Sequence, residues 1–314
     1  MILLRTSTGG IFMNLKHAQY MITVMQEGSI TNAAKKLYMS QPSLSQMIKL
    51  VETNLGAPIF DRSTEPLTLT LAGEKYIEAA QKSLTINANL TKEIEELTLE
   101  DHGKIRFGVP VQRGMQVLPY MLPKFLKLYP HVDIQVFEQG SGLMENMVLD
   151  GTIDMACMTT NARHEELKYI LIENEDLVLL TTKNTELAGR IPAGTPIPIT
   201  EAKDEKFVSN KPGHSVRTIQ DNLFIANNMH PKIILETISI EVEKKVCLAC
   251  DAVMICPKNY IEKSPEILEK AVIYPILNAG SQRHCYICHR KNLYLTKYMQ
   301  DFINILIEVE NPFL

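Results

Sequence analysis

The sequence predicts a mixed α/β chain in three parts: a small group of short helices closed by a β-hairpin, one long helix, and a large region of alternating strands and helices. Three observations carry this. Between Leu15 and Asn54, apolar residues recur at helical spacing in short runs punctuated by Gly28 and Ser40. From Ala72 to Leu97 there is no proline, and the only glycine, Gly73, lies in the first turn. Beyond Asp101-His102-Gly103, apolar runs of strand length alternate with helical patterns, the texture of parallel sheets with helices on both faces.

The first helix runs through His17–Met25 and stops at Glu27-Gly28, where glycine accepts the left-handed turn that ends helices. Ser29 or Thr31 caps the second, whose inner face is Ala33, Ala34 and Leu37. Tyr38-Met39 makes the turn. Ser40 caps the third, with Gln41-Pro42-Ser43 as its first turn, where the missing proline N–H costs nothing. Leu44, Ile48, Val51 and Leu55 form one apolar face of this helix, and Gln41, Ser45, Gln46, Lys49 and Glu52 fall on the other side. Gly56 ends it. Pro58-Ile59-Phe60 and Leu67-Thr68-Leu69-Thr70 read as two short strands, a hairpin or wing. In the long helix Ile77, Ala80, Leu84, Ala88, Ile94 and Leu97 make a stripe that predicts pairing with a second copy, Ile77, Ala80, Leu84 and Ile94 forming the seam.

The third part reads as strand 104–109, helix 115–128, strand 133–138, helix 142–150, strand 153–158, strands 177–181 and 206–208, helix 216–228, strand 232–236, helix 240–250, strands 252–256 and 284–289, and a closing helix near 295–307. That is enough alternation for two small lobes. The expected boundaries are a tail at 1–12, the helix and hairpin unit at 13–71, the long helix at 72–101 and an α/β region at 102–314. Within the last, one lobe spans about 102–172 and 279–314, the other about 173–278.

Ser29-x-Thr31-x-Ala33-Ala34-x-x-Leu37-x-x-Ser40-Gln41-Pro42-x-x-Ser45 is a helix-turn-helix pattern, with small alanines where two helices cross closely. Amides and hydroxyls on the third helix suit base edges and phosphates in a DNA major groove. Asn14–Gly73 resembles the winged helix-turn-helix of LysR-type transcriptional regulators through Asn14-Leu15, Tyr20, Val24, Gly28-Ser29, Ala33-Ala34, Leu37, Ser40-Gln41-Pro42, Ser45, Glu52, Leu55-Gly56, Phe60, Arg62, Thr70 and Ala72-Gly73. Leu118-Pro119, Phe125, Tyr129-Pro130, Gly151-x-x-Asp154 and Val253–Pro257 extend the similarity. The resemblance implies a regulator that binds double-stranded promoter DNA. It implies a homodimer through the long helix, often a tetramer, and a two-lobed effector domain similar to periplasmic binding proteins. The candidate DNA contacts are Ser29, Thr31, Ser40, Gln41, Pro42, Ser43, Ser45, Gln46, Lys49 and Arg62. Residues 13–73 carry five basic groups (Lys16, Lys35, Lys36, Lys49, Arg62) against four acidic (Glu27, Glu52, Asp61, Glu65). A net of +1 favours affinity gathered from linked subunits.

Three loops at expected strand ends are candidates for a small-molecule inducer: Val111-Gln112-Arg113, where the resemblance implies an inducer loop, Thr159-Thr160-Asn161, and His214-Ser215-x-Arg217. They offer mostly donors and no carboxylate. In this reading Arg113 or Arg217 forks a small carboxylate, held in part by a helix N-terminus, and His214 adds pH sensitivity near neutrality.

No hydrolase elbow, P-loop or dinucleotide fingerprint occurs, so an enzyme is not expected, nor a cofactor. Six cysteines are too few for a disulfide framework. Cys247-x-x-Cys250 and Cys285-x-x-Cys288 invite a metal or redox alternative, but residues three apart on a strand face opposite ways, so no metal site is expected. A second alternative is a small-molecule receptor without specific DNA binding. No apolar run reaches the ~18 residues of a membrane span, and the opening Met1–Leu4 is broken by Arg5 before it makes a secretory signal. A cytoplasmic protein without membrane contact is the expectation.

Overall fold

The computed structural model describes residues 13–98, 102–159, 162–262, 264–277 and 282–310. The chain forms two compact units, divided between Ile94 and Glu95.

The first unit contains α1 (Leu15–Glu27), α2 (Ile30–Lys36), α3 (Gln41–Leu55), the antiparallel hairpin β1 (Phe60–Asp61) and β2 (Thr68–Leu69), and most of α4 (Leu71–Thr98). Side chains close each helix start. The Asn14 carbonyl accepts from Lys16 and His17, Ser29 Oγ from the Asn32 N–H, and Ser40 Oγ from the Ser43 N–H. Of the two capping candidates for α2, it is Ser29 that caps. Gly28 and Gly56 hold φ of 57° and 77° at the ends of α1 and α3. Met21, Val24, Ala33, Leu44, Ile48 and Ile59 form the core with Tyr76, Ile77 and Ala80 of α4. At Gly73 a methyl group would run into the Ile59 carbonyl oxygen, so glycine is what lets α4 start hard against the hairpin.

This packing revises the seam. Ile77 and Ala80 are buried within their own unit and Leu84 packs against the same core. The exposed apolar strip of α4 is instead Ile86, Leu90, Ile94 and Leu97, spaced four, four and three so that they share one face.

The second unit follows as β3 (His102–Gly108), α5 (Val111–Leu128), β4 (His131–Phe137), α6 (Ser141–Leu149), β5 (Met155–Thr159), β6 (Leu167–Thr182), α7 (Glu186–Arg190), β7 (Lys206–Asn210), α8 (Ser215–Ala226), β8 (Lys232–Thr237), α9 (Ile240–Ala249), β9 (Met254–Pro257), α10 (Asn259–Glu262), α11 (Pro265–Leu268), β10 (Ala271–Pro275), β11 (Gln282–Arg290) and α12 (Lys297–Glu310). No helix among the described residues is long and apolar enough to cross a membrane.

The main sheet runs β10-β6-β11-β5-β3-β4, with β9 also on β6. β3 is parallel to β4 and β5, whereas β11 is antiparallel to β5 and β6, and β6 antiparallel to β9 and β10. The sheet is therefore mixed, not wholly parallel: β11 inserts antiparallel between β5 and β6, and β9 and β10 lie antiparallel on β6. β6 is the spine. Its first part, Leu167–Asp176, pairs with β11, and its last residues pair with β9 and β10. The apolar pattern reveals only its end, because Glu173-Asn174-Glu175-Asp176 interrupts it.

One core gathers Ile105, Phe107, Phe125, Ile172, Ile287 and Phe302 under α5 and α12. Another gathers Leu179, Phe207, Phe224, Val253 and Tyr274. β6 runs through both lobes, giving Ile172 to the first core and Leu177 and Leu179 to the second, whereas β11 gives Cys285 and Ile287 to the first. Between the lobes the parallel strands end on the loops described below. α5 starts a turn earlier than the sequence suggests, which puts Val111 and Gln112 in its first turn.

The exposed strip generates a prediction. Leu90 is 55% exposed and belongs to none of the cores, so Leu90→Lys should abolish self-association while leaving the fold of each chain, read by circular dichroism, intact. Sedimentation velocity checks this, and an undiminished dimer in the variant refutes the strip as a seam.

Candidate functional site

In the first unit, α3 separates two faces. Leu44, Ile48 and Val51 are buried, while Gln41, Pro42, Ser43, Gln46 and Lys49 are exposed. Ser40 and Ser43 hydroxyls meet at 2.7 Å, and Gln41 Nε2 donates to Ser45 Oγ at 3.1 Å, so the first turn is ordered by its own polar groups. Thr31 is exposed on α2 and Ser29 half-buried at its cap. Arg62 donates to Glu52 Oε2 at 3.1 Å, while Glu52 Oε1 accepts from the Ile59 and Phe60 N–H groups at 2.9 and 3.3 Å. Glu52 thus ties the hairpin to α3, a role its place on the polar face did not suggest.

In the second unit a cavity of about 520 Å³ opens where β3, β4, β5 and β7 end and α5, α6, α8 and α9 begin. Strand ends in α/β sheets make such crevices because the loops leave them. Its walls include Val111 and Gln112 of α5, Ser141 of α6, Thr159, Asn210, His214, Ser215 and Val216 of α8, Ile240 and Glu241 of α9, Tyr260 and Arg283. Five of the candidates from the three loops, Val111, Gln112, Thr159, His214 and Ser215, therefore share one cavity. Thr160 and Asn161 lie outside the described residues.

Arg113 and Arg217 do not line it. Arg113 is 1% exposed and pairs with Glu173, Glu175 and Glu310. Arg217 pairs with Asp221 at 2.7 Å and with Glu236, and donates to the Asn210 carbonyl. Both guanidinium groups are already matched by carboxylates, so neither is available to fork a ligand. Nor are the walls free of carboxylates, since Glu138 and Glu241 contribute. Glu241 accepts from Gln112 Nε2 at 2.7 Å and pairs with the buried Lys244 at 2.6 Å, linking α5 to α9 across the opening. Burial lowers the pKa of His214 from its ordinary 6.5, which keeps its ring neutral at neutral pH rather than adding charge there.

The residues that sequence reasoning missed are Arg283 and Asn210. Arg283 donates through Nε to Glu175 at 2.7 Å and through Nη1 to Ser215 Oγ at 2.9 Å. Nothing in the strand pattern marked it, because its meaning comes from Glu175 on β6. Asn210 is 2% exposed, and its Nδ2 donates to Glu243. Burial pushes the Glu243 carboxyl up to about 8, only partly offset by the Asn210 hydrogen bond.

The cysteines do not assemble. Cys285 Sγ meets Cys157 Sγ at 3.5 Å in the first core, and Cys288 faces Met158 on the opposite side of β11. Cys247 is buried on the inner face of α9 and Cys250, just past its end, is exposed. Among the described residues no three His, Cys, Asp or Glu stand where they would hold a metal. Cys247, Cys285 and Cys288 thus belong to three separate cores, so the four cysteines of the two pairs do not form one site.

The sequence matches a profile described as "LysR substrate binding domain" over residues 99–311, and another described as "Bacterial regulatory helix-turn-helix protein, lysR family" over 15–74. It is 27% identical over 310 residues to the uncharacterized HTH-type transcriptional regulator YcgK of Bacillus subtilis, covering 93% of this chain and 94% of that one. Among solved structures, a full-length OxyR variant from Pseudomonas aeruginosa shares the fold, with a TM-score of 0.64 at 18% identity, covering 96% of this chain and 95% of that one. Full-length CbnR complexed with its target DNA does so at 0.52 and 19%, covering 95% of this chain and 100% of that one.

The buried Glu243 yields a prediction. Its folded pKa is raised, so the unfolded chain ionises it near 4.5 while the folded chain holds its proton to about 8. Its stabilising contribution is complete below the unfolded value and lost as pH rises through the folded one. Melting temperature measured between about pH 5 and 8.5 should fall less steeply in Glu243→Gln than in wild type. Parallel curves contradict the raised pKa.

Proposed function

The chain belongs to the LysR-type family of DNA-binding transcriptional regulators, and from that premise we propose that α3 reads double-stranded promoter DNA while the cavity of the second unit takes the small-molecule effector. The single observation that carries the DNA reading is the division of α3: Ser43, Gln46 and Lys49 lie exposed opposite the buried Leu44, Ile48 and Val51. A helix so divided docks its polar face in the major groove. Ser29, Thr31, Ser40, Gln41, Pro42 and Ser45 flank that face, and Arg62, held by Glu52, serves the wing. The net charge of +1 on residues 13–73 is offset by avidity, since a dimer or tetramer joined through α4 presents several such helices at once. The effector reading rests on the cavity of about 520 Å³, which has the size of small-molecule sites. Val111, Gln112, Thr159, His214 and Ser215 belong to it. The protein works in the cytoplasm as a binding device, not an enzyme.

DNase footprinting with base-substituted operators tests the reading. Gln46→Ala should lose ~1–3 kcal/mol of discrimination at one base position. Lys49→Ala should weaken all sequences alike and shallow the salt dependence by about one charge. Unchanged base preferences in Gln46→Ala refute the assignment of α3.

A further inference from the structure

We infer that the effector is a small carboxylate that also carries a hydroxyl or amino group able to donate a hydrogen bond. This rests on the reading of the cavity as the effector site.

The acid end follows from the helix starts. α5, α6 and α8, of 18, 9 and 12 residues, all open on the cavity, and none has a side-chain cap. Apart from the Leu143 N–H, which donates to the Gly140 carbonyl at 3.1 Å, their first-turn N–H groups are left for solvent or ligand, with the positive ends of three helix dipoles behind them. Two hydroxyls add to this. Ser141, the first residue of α6, accepts at Oγ from the Thr159 N–H at 3.3 Å, and Ser215, the first of α8, accepts at Oγ from Arg283 Nη1 at 2.9 Å. Each acceptor role is filled, so each hydroxyl has its own proton left to donate. Arg283 itself is matched by Glu175, so it orients Ser215 while the helix termini meet the anion.

The donor follows from a second, independent observation. Asn210 lines the cavity at the end of β7, 2% exposed, and its Oδ1 has no hydrogen-bond partner although Nδ2 is taken by Glu243. Buried amide oxygens are almost always satisfied. This one, on a residue of the cavity wall, is an acceptor left for a ligand N–H or O–H. The wall carboxylate Glu241, held by Gln112 and Lys244, is a second acceptor. A plain monocarboxylate would satisfy the helix starts and leave Asn210 unpaired; an acid with a donor satisfies both.

Calorimetric titration of the full-length protein with two- to six-carbon 2-hydroxy and 2-amino acids, their unsubstituted parent acids and their neutral amides tests the inference. Binding should appear among the substituted acids and weaken roughly tenfold or more in both the parent acids and the amides. Asn210→Ala should erase the preference for substituted over parent acid, whereas Ser141→Ala with Ser215→Ala should weaken both alike. Parent acids binding as tightly as substituted ones, amides binding as tightly as acids, or no binding across the panel each overturns the inference, and the wild-type comparison decides even if a variant fails to fold. Gly140→Trp tests the underlying site separately. A Cβ at Gly140, on the cavity wall, meets nothing within 4 Å, which leaves room for a tryptophan side chain to occupy cavity space. A substituted acid that binds this variant undiminished refutes the cavity as the effector site, whereas abolished binding upholds it.

Discussion

Two buried arginines and three carboxylates, Glu175 and Glu310 buried and Glu173 partly exposed, set the geometry of the second unit beside the cavity wall that Arg283 lines. Arg113 enters from the start of α5, Glu173 and Glu175 from the middle of β6, Arg283 from β11, and Glu310 from the end of α12. Tyr260 stands beside both guanidinium groups, 6.0 and 5.7 Å from its ring centre. Charges so buried persist only when paired, and removing one partner costs about 3–5 kcal/mol by stranding the others. Each element supplying a member is thereby held in register with the rest. The first turn of α5 and the hydroxyl of Ser215 on α8 take their positions from this cluster, and those are the groups that face the cavity.

The same cluster explains which parts were legible in the sequence. Local signals were easy to read: Ser29, Ser40, Gly28 and Gly56 act within a few residues of their own positions, so the helix-turn-helix emerged with its caps and polar face intact. Family resemblance and strand alternation were likewise enough for the mixed α/β class. The hidden parts were those whose meaning depends on a distant residue. Glu173-Asn174-Glu175-Asp176 reads as a break in apolar pattern until Arg113 and Arg283 are seen to face it, and the length of β6 is lost with it. Arg113 looks like a free donor in a loop because Glu310 is nearly two hundred positions away. Ile77 and Ala80 look like an external seam because the hairpin that covers them is short and polar in sequence.

The cavity and the reading helix also differ in how they recognise charge. On α3, recognition falls to exposed side chains with long reach, which are screened and sensitive to salt. In the cavity the available positive potential comes from peptide dipoles fixed by the fold, with the full charges of Arg113, Arg217 and Arg283 each matched by carboxylates. Fixed dipoles do not titrate, and the lowered pKa of His214 removes the one imidazole on the wall from ionisation near neutrality. If the cavity is the effector site proposed above, selectivity there is set by shape and hydrogen-bond direction.

The segments from which the two lobes draw their cores also fix an order of events during synthesis. One lobe draws its core from both ends of the second unit, Ile105–Ile172 and Cys285–Leu306. The other takes Leu177–Ile276, an uninterrupted stretch. On the ribosome the helix-turn-helix is complete first and the uninterrupted lobe next, and each has its own core to condense around. The interrupted lobe must wait for β11 and α12, the last described elements of the chain, before β5 and the first part of β6 gain the strand that lies between them. A nascent chain therefore exposes the DNA-reading helix well before the charge cluster beside the cavity can close, and a truncation anywhere before β11 leaves Glu173 and Glu175 without Arg283.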